Sequence, residues 1–208
     1  MRTLDLVLRE SASRHKHLCP RQVLGARMGL YAAELLSLDV LRADKRLLVI
    51  VETDGCAVDG LIAATGCRVG SRTLRVLDFG KVAATFTDTC TEETIRIVPR
   101  REARFLAGDH APAARNKWEA MLFGYQIMPA SELFVVQHVK LDMPLSQLIS
   151  RPGRKVTCEV CGEEVINGRE VLTNGMVLCR ACAGEGYCHI LEPLRLVPSL
   201  PERWMVRS

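Results

Sequence analysis

The sequence predicts a core that mixes helices and strands, followed by a small zinc-binding module near the C-terminal end. Over the first 140 residues, segments with helical spacing alternate with short runs that suit strands. Hydrophobic residues make up 48% of the 208-residue chain and aromatic residues only 5%, so we expect a packed and mainly aliphatic core. Two Cys-x-x-Cys pairs then lie close together in the last third of the chain.

The N-terminal region predicts two helices separated by a short connection. Leucines and an alanine at helical spacing favour a helix over 3–14. Proline suits the first position of a helix, and the residue before it prefers extended geometry. A second helix should therefore begin at Pro20, with Cys19 as its N-cap. The small residues along this helix would let another backbone pack closely against it: Gly25, Gly29 and Ala32.

A buried strand and a third helix come next. The continuous apolar run 47–51 is typical of a strand covered on both faces. Asp54-Gly55 indicates a turn, and the segment from Cys56 to Thr65 predicts a helix that Gly66 stops.

The remainder of the core is predicted to hold most of the sheet. Strands are expected at 74–78, 81–87 and 93–98, a helix at 111–124, and a further strand at 133–139. We therefore divide the chain into four parts by composition. These parts are a core domain (1–140), a linker rich in proline, glycine and basic residues (141–155), a metal module (156–190) and a C-terminal tail (191–208).

The four cysteines of the metal module have the spacing of a structural zinc site: Cys158, Cys161, Cys179 and Cys182. Each Cys-x-x-Cys pair can place two sulfurs on one metal from a tight turn, and Asn174-Gly175 predicts a hairpin turn between the pairs. Four protein ligands leave no open coordination position, so such a site is expected to be structural. The alternative is two unrelated redox or core pairs.

A second group of possible ligands lies in the N-terminal part. His15, His17 and Cys19 alternate along one short segment, and Cys56 lies at the start of another predicted helix. The positive end of a helix favours a thiolate, so these residues could form a soft metal or redox site. The alternative is that the cysteines are core residues and the histidines are solvated.

Four further thiol or imidazole groups remain unassigned by spacing: Cys67, Cys90, Cys188 and His189. Cys67 lies at the far end of the third predicted helix, which makes it a weaker candidate for the core metal. Cys188-His189 could supply an alternative zinc ligand.

Charge and cysteine usage limit the possible partners and compartments. A formal net charge of +4, without interleaved stacking aromatics, disfavours a nucleic-acid-binding surface. The charged segment 1–14 has no apolar signal core, and no run is long enough to span a bilayer. With nine cysteines, an odd number, we expect a cytoplasmic protein with metal-bound or free thiols rather than disulfides.

Five blocks of sequence, in order, resemble a known family: 15–20, 24–25, 52–59, 65–67 and 78–81. They read His-Lys-His-Leu-Cys-Pro, Leu-Gly, Glu-Thr-Asp-Gly-Cys-Ala-Val-Asp, Thr-Gly-Cys and Asp-Phe-Gly-Lys. Together they are similar to the FmdE domain, named after a component of formylmethanofuran dehydrogenase, which often ends in a Cys-x-x-Cys…Cys-x-x-Cys module like this one. The resemblance covers roughly 12–140 and the metal module.

The resemblance implies an α+β fold, with a mixed or antiparallel sheet packed against helices and a small zinc ribbon or treble-clef-like module. It also implies homodimerisation, a possible enzyme-complex partner, and a metal cleft at the positions of His17, Cys19 and Cys56 that could hold zinc or iron. It does not imply the dehydrogenase reaction, because the catalytic chemistry belongs to other components of that enzyme. The chain also departs from the family pattern, with Ile62 at a position where the family often has glutamine.

Three functions are compatible with these observations. The first is a metal-binding accessory or redox protein of one-carbon or molybdenum-enzyme metabolism, with the core metal open to a small anion or thiol. The second is a protein-interaction module whose zinc finger docks a partner. The third is a zinc-dependent nucleic-acid-binding regulator, for which binding should depend steeply on salt.

Overall fold

A computed structural model of the chain describes residues 2–15, 17–41, 44–149, 152–189 and 191, with only the backbone of residue 15. The chain divides into two compact units, Met1–Ser150 and Arg151–Ser208. None of the helices within the described ranges is long and apolar enough to cross a membrane.

The first unit contains seven helices and five strands among its described residues. The helices are α1 (Leu4–His15), α2 (Pro20–Leu35), α3 (Ala57–Thr65), α4 (Ala103–Leu106), α5 (Lys117–Ile127), α6 (Ala130–Leu133) and α7 (Leu145–Leu148). The strands are β1 (Leu47–Val51), β2 (Leu74–Val76), β3 (Ala84–Asp88), β4 (Thr94–Pro99) and β5 (Phe134–His138). The second unit contains two hairpins and a π-helical turn: β6 (Lys155–Thr157), β7 (Glu164–Ile166), β8 (Val171–Thr173), β9 (Met176–Leu178) and Ala181–Glu185.

The five strands of the first unit form one mixed sheet in the order β2-β1-β3-β4-β5. Strand β1 pairs in parallel with β2 through Val49 and Leu74, and antiparallel with β3 through Val49 and Phe86. The remaining pairs, β3–β4 and β4–β5, are antiparallel. Helix α3 connects the two parallel strands, as such a crossover requires. The predicted α+β fold with a mixed sheet and helices is therefore confirmed.

The main core lies between one face of the sheet and the helices. Val49, Phe86 and Ile97 point from the strands into this core, where Met28 of α2 and Leu61 of α3 are fully buried. The opposite face of β1 is also covered. There, Leu48 and Ile50 pack with Leu148 of α7 and with two partly buried leucines, Leu141 and Leu145. This cover on both faces explains the continuous apolar run of β1.

The predicted helix over 111–124 is wrong at its start. Helix α5 begins at Lys117, where the side chain of Asn116 accepts a hydrogen bond of 2.9 Å from the backbone N–H of Glu119. An asparagine N-cap satisfies a free N–H of the first turn, so this local bond sets the helix start. Residues 111–115 form turns instead. The alanines of 111–114 favour a helix by composition, and for that reason the predicted helix began six residues too early.

Helices α2 and α3 meet at backbone-to-backbone distance. A Cβ atom on Gly25 would lie 2.0 Å from the carbonyl oxygen of Ala57, and one on Gly60 would lie 2.1 Å from the carbonyl oxygen of Gln22. One turn further along α2, a Cβ on Gly29 would lie 2.6 Å from the methyl group of Ala64 and 3.0 Å from that of Thr65. The start of α2 at Cys19 neighbours Cys56 at the start of α3, and Gly29 neighbours the last residues of α3, so the two helices run in parallel with their N-terminal ends side by side.

An ion pair joins the residue before β1 to the last residue of β3, at the end of these strands that lies away from Cys56. The guanidinium of Arg46 binds both carboxylate oxygens of Asp88, with Nε–Oδ1 at 2.9 Å and NH2–Oδ2 at 2.7 Å. The side chain of Asp88 is only 3% exposed. Hydrogen bonding from Arg46 lowers the pKa of Asp88 from its usual 3.8 to about 2.

We predict that Gly60→Ala will lower the free energy of unfolding by about 3 kcal/mol, because the new methyl group would collide with rigid backbone of α2. Urea unfolding followed by circular dichroism measures this change. Gly70→Ala is the matched control, since nothing lies within 4 Å of a Cβ at that position, and it should change stability by less than about 1 kcal/mol. Equal effects of the two substitutions would contradict the close helix contact.

We also predict that Asp88 contributes to acid sensitivity. Its pKa is lower in the folded protein than in the unfolded chain, so its stabilisation is present above about pH 4 and is lost as the pH falls towards 2. The loss should amount to about 2 kcal/mol. In Asp88→Asn, urea unfolding should show lower stability at pH 7 and a flatter dependence between pH 4 and pH 2. The exposed neighbour Glu93 provides the control as Glu93→Gln, and a steep acid dependence retained in Asp88→Asn would refute the assignment.

Candidate metal centres

The four cysteines of the second unit converge on one point. Their sulfur atoms all lie within 4.8 Å of one another: Cys158, Cys161, Cys179 and Cys182. The sulfurs of Cys161 and Cys179, which belong to different pairs, are 3.9 Å apart. Cys158 is buried, and the other three are half-buried or exposed. Thus the residues that the spacing selected do come together, and they could hold a metal ion.

Tight backbone turns present these sulfurs. In the first pair, the N–H of Gly162 donates to the carbonyl oxygen of Cys158 at 2.9 Å, and Gly162 has a φ of +74°, which suits glycine. In the second pair, the N–H of Cys182 points at the sulfur of Cys179, 3.4 Å away. Each turn therefore places two sulfurs on the same side of its own backbone.

The hairpin between the pairs holds the two turns together. Strands β8 and β9 are joined at Asn174-Gly175, whose φ values of +51° and +81° fit the predicted hairpin turn. The backbone of Glu159 donates to the carbonyl oxygen of Val177 at 2.9 Å, and the N–H of Val177 donates to Oε1 of Glu159 at 2.6 Å. These two bonds tie the first cysteine turn to β9.

The four thiols oppose each other's ionisation. Backbone N–H groups, first that of Cys161 and then that of Cys179, lower the pKa of Cys158 to about 6. The neighbouring sulfurs, first that of Cys179, raise the pKa of Cys182 to about 12. One thiolate forms readily, but four negative sulfurs require a compensating cation. The donor set therefore fits a soft divalent metal.

Two further thiols, in the first unit, lie at the starts of α2 and α3. Cys19 is the N-cap of α2 and is 8% exposed, and Cys56 is the half-buried residue before the first turn of α3. Because the two helices are parallel and in backbone contact, their first turns bring these two thiols together. Burial is the main cause that raises the pKa of the Cys19 thiol, and the side chain of Cys56 lies close enough to raise it further.

Gln22 fixes the position of Cys19. Its side-chain oxygen accepts a hydrogen bond of 2.8 Å from the backbone N–H of Cys19, and its own N–H faces the cysteine side chain, which makes a reciprocal capping box. The amide nitrogen of Gln22 also donates to the hydroxyl of Ser11 in α1 at 3.0 Å. The sequence reasoning missed Gln22, although the Cys-x-x-Gln spacing before an apolar helix was a usable signal.

The comparisons with known proteins agree with this architecture. A family described as FmdE, of the molybdenum formylmethanofuran dehydrogenase operon, matches residues 14–135, which is more than half of the chain. The chain belongs to the FmdE family. Its relationship to this family, expected from five sequence blocks, is thus confirmed.

This FmdE-family chain is also similar to one solved structure and to one curated protein. The crystal structure of a tungsten formylmethanofuran dehydrogenase FmdE-like protein from Syntrophus aciditrophicus superposes with a TM-score of 0.57 at 18% identity, over 90% of this chain and 96% of that one, which shows a shared fold. A "Probable S-adenosyl-L-methionine-binding protein" from Archaeoglobus fulgidus is 29% identical over 198 residues, covering 83% of this chain and 51% of the relative. The chain therefore spans about half the length of this curated relative.

The expected effect of the helix ends on Cys19 is outweighed by burial. Removal from water raises the pKa of the Cys19 thiol, while the N–H groups of Gln22 and Arg21 act in the opposite direction and Cys56 raises it further. The sequence suggested a thiolate at this helix start, but the structure favours a neutral thiol. A bound cation would reverse this preference, because it would replace the lost hydration.

The two histidines of the expected core site lie at the end of α1 and in the connection that follows it. His17 is exposed in the connection between α1 and α2, and His15 is the last residue of α1. Within the described ranges, the C-terminal quartet is the one group of three or more His, Cys, Asp or Glu side chains whose ligand atoms all lie within 4.8 Å. The structure thus brings Cys19 and Cys56 together, and the ligand atoms of His17, Cys19 and Cys56 do not all lie within 4.8 Å of one another.

The remaining cysteines occupy three different parts of the chain. Cys67 follows the C-terminal end of α3, opposite to Cys56, and its thiol is buried against the carbonyl oxygen of Leu47 at 3.5 Å. Cys90, Cys188 and His189 are exposed. Cys188 does not join the four-cysteine group at 4.8 Å. These positions give no support to Cys67 as a ligand of the core site.

We predict that Cys161→Ser will release one metal ion and unfold the C-terminal module of this FmdE-family protein, because metal binding supplies folding free energy to a site of this kind. Metal analysis and limited proteolysis, which should cleave within 152–189, measure the two effects. Cys188→Ser removes an exposed thiol from the same module and should leave both unchanged. If Cys188→Ser lost the metal instead, the ligand set would be wrong.

Proposed function

We propose that this chain is a metal-binding accessory protein of one-carbon or molybdenum-enzyme metabolism, with a structural zinc in the C-terminal module and a second metal, zinc or iron, in the core. The family description, which names a molybdenum formylmethanofuran dehydrogenase operon, supports the metabolic setting. The observation that carries the proposal is the pairing of Cys19 and Cys56 at two adjacent helix starts.

Zinc is the metal that suits the C-terminal quartet best. Tetrahedral zinc with four thiolates has Zn–S bonds of about 2.3 Å, which corresponds to sulfur–sulfur distances of about 3.8 Å. The separation of 3.9 Å between Cys161 and Cys179 fits this geometry. With four protein ligands there is no position for a substrate, so the role of this zinc is structural.

The core site is proposed to use Cys19, Cys56 and His17. Two thiols and an imidazole are ligands that zinc and iron accept, and three protein ligands leave one position open to a small anion or thiol. His17 lies two residues before Cys19 in the connection between α1 and α2, which makes it the nearest imidazole along the chain. The capping bonds of Gln22 hold Cys19 in place for metal binding.

We further propose that the chain forms a homodimer and acts with an enzyme complex. Exposed apolar side chains on α4 and α5 are available for such contacts: Phe105, Trp118, Phe123 and Ile127. Helix α5 is apolar on the side that packs inwards and also on this exposed side, which is unusual for a helix that stays in water.

A second candidate is a protein-interaction module, with the zinc finger as the docking part. It is favoured by exposed apolar residues on the second unit, above all Leu172, which is 74% exposed in strand β8, and Val160, which is 63% exposed in the first cysteine turn. Under this alternative the purified protein would hold one zinc and Cys19 would be inert.

We predict that Cys19→Ala will remove the core metal and keep the fold, so that metal content falls from two ions per chain to one while the far-ultraviolet circular dichroism stays unchanged. Elemental analysis of protein purified without chelators provides the measurement. Cys67→Ala removes another buried thiol, at the opposite end of α3, and should retain both metals. Two metals in Cys19→Ala, or one in the wild-type protein, would refute the core site.

A further inference from the structure

We infer that Cys19 and Cys56 form a redox-active dithiol that exchanges with small disulfides, with Cys56 as the attacking thiol and Cys19 as the resolving thiol. The product is a Cys19–Cys56 disulfide within one chain. The reactant class is a low-molecular-weight disulfide, such as oxidised glutathione. This inference goes beyond the proposed function, because it uses the two thiols of the core site without requiring a metal.

Helix packing holds the two side chains within bonding reach. The residue after Cys56 is in backbone contact with the other helix, since a Cβ on Gly25 would lie 2.0 Å from the carbonyl oxygen of Ala57. The thiol of Cys19 lies within hydrogen-bonding reach of the Cys56 side chain. A disulfide bond is about 2 Å long, and side chains already in such contact approach each other by rotation about their Cα–Cβ bonds.

The segment that leads to Cys56 is also fixed. The carbonyl oxygen of Glu52 accepts hydrogen bonds of 3.0 and 2.9 Å from two N–H groups of the loop 77–83. In the turn that follows, Oγ1 of Thr53 accepts from the N–H of Gly55 at 3.1 Å. Cys56 therefore starts α3 from an ordered turn, and its position relative to α2 is set by the fold.

The two thiols differ in access to solvent, which assigns their roles. Cys19 is 8% exposed, and its backbone N–H donates to Oε1 of Gln22 at 2.8 Å. Cys56 is half-buried and follows a turn in which Asp54 is exposed. A dissolved disulfide thus reaches Cys56 first, and Cys19 lies behind it. Thiols react in order of their accessibility when other factors are similar.

The reaction takes place in two exchange steps. The thiolate of Cys56 attacks one sulfur of oxidised glutathione, which forms a mixed disulfide and releases one glutathione thiolate. The thiolate of Cys19 then attacks the sulfur of Cys56, breaks the mixed disulfide and releases the second glutathione thiolate. Two electrons pass from the protein to glutathione, and the two protons of the protein thiols go to the two released thiolates.

Two sulfurs are sufficient for this chemistry, whereas a metal needs more ligands. Within the described ranges, no His, Cys, Asp or Glu side chain joins Cys19 and Cys56 in a group of three whose ligand atoms all lie within 4.8 Å. The pair is therefore complete for disulfide formation as it stands. Cys67 is a buried thiol at the opposite end of α3, where it contacts the carbonyl oxygen of Leu47, and it serves as the comparison.

The test treats the full-length chain with oxidised glutathione, blocks the remaining thiols with N-ethylmaleimide and identifies linked tryptic peptides by mass spectrometry. Trypsin releases Cys19 in peptide 17–21 and Cys56 in peptide 47–68. These two peptides should be joined in the monomer band of a non-reducing gel and separated again by dithiothreitol. Peptide 47–68 also contains Cys67, so Cys67→Ala is the matched control and should form the same link.

Single variants test the order of attack. Cys19→Ser keeps a good N-cap residue and should stop at the mixed disulfide, with glutathione on Cys56. In Cys56→Ser, the buried Cys19 should carry about tenfold less glutathione. Equal modification of the two variants would overturn the assigned roles.

Three results with the wild-type and control chains would overturn the dithiol itself. These are reaction of the exposed Cys90 and Cys188 alone, a link that disappears in Cys67→Ala, and a link found only between two chains. Metal analysis of the untreated protein separates this inference from the proposed function. A link in protein that holds one metal per chain would refute the core metal alone, whereas no link in protein that holds two metals would refute the dithiol alone.

Discussion

The close contact between helices α2 and α3 is the constraint on which the proposed core site depends. Gly25 and Gly60 allow each helix to touch the backbone of the other, and no larger residue fits at these points without a shift of the main chain. This contact makes the helices parallel neighbours and brings Cys19 and Cys56, far apart in sequence, to the same place. The crossover from β1 through α3 to β2 then adds the carboxyl ends of two strands to that end of the sheet. The small residues thus act on function through packing alone.

The two groups of thiols differ in what they contribute to folding. Among the described residues of the second unit, the apolar cluster buries only three side chains, Cys158, Val165 and Leu178, which is too little to stabilise a fold of this size. A metal in its four-cysteine site would supply the missing free energy. The first unit has a large core of its own and does not need a metal to fold. Its thiol pair is therefore not required for folding, which is consistent with the binding role that we propose for it.

The sequence predicted features that local rules control and missed those that depend on tertiary packing. Pro20, Gly66 and the run 47–51 marked element boundaries correctly because caps and apolar runs act over a few residues. The start of α5 was placed too early, since the cap at Asn116 competes with a helix-favouring composition. The charge state of Cys19 was also expected in the wrong direction, because burial cannot be read from spacing. Gln22 holds Cys19 in place partly through Ser11, and this contact depends on the packing of a different helix, α1.

Glu52 stabilises the sheet and the loop 77–83 through different atoms. Its carboxylate accepts two hydrogen bonds from Arg96 of β4, while its carbonyl oxygen accepts from the N–H groups of Phe79 and Lys81. Phe79 and Lys81 are exposed and can be exchanged with little loss of stability, whereas Val82 and Ala83 of the same loop pack into the core. The loop therefore combines two replaceable surface positions with two that the sheet requires.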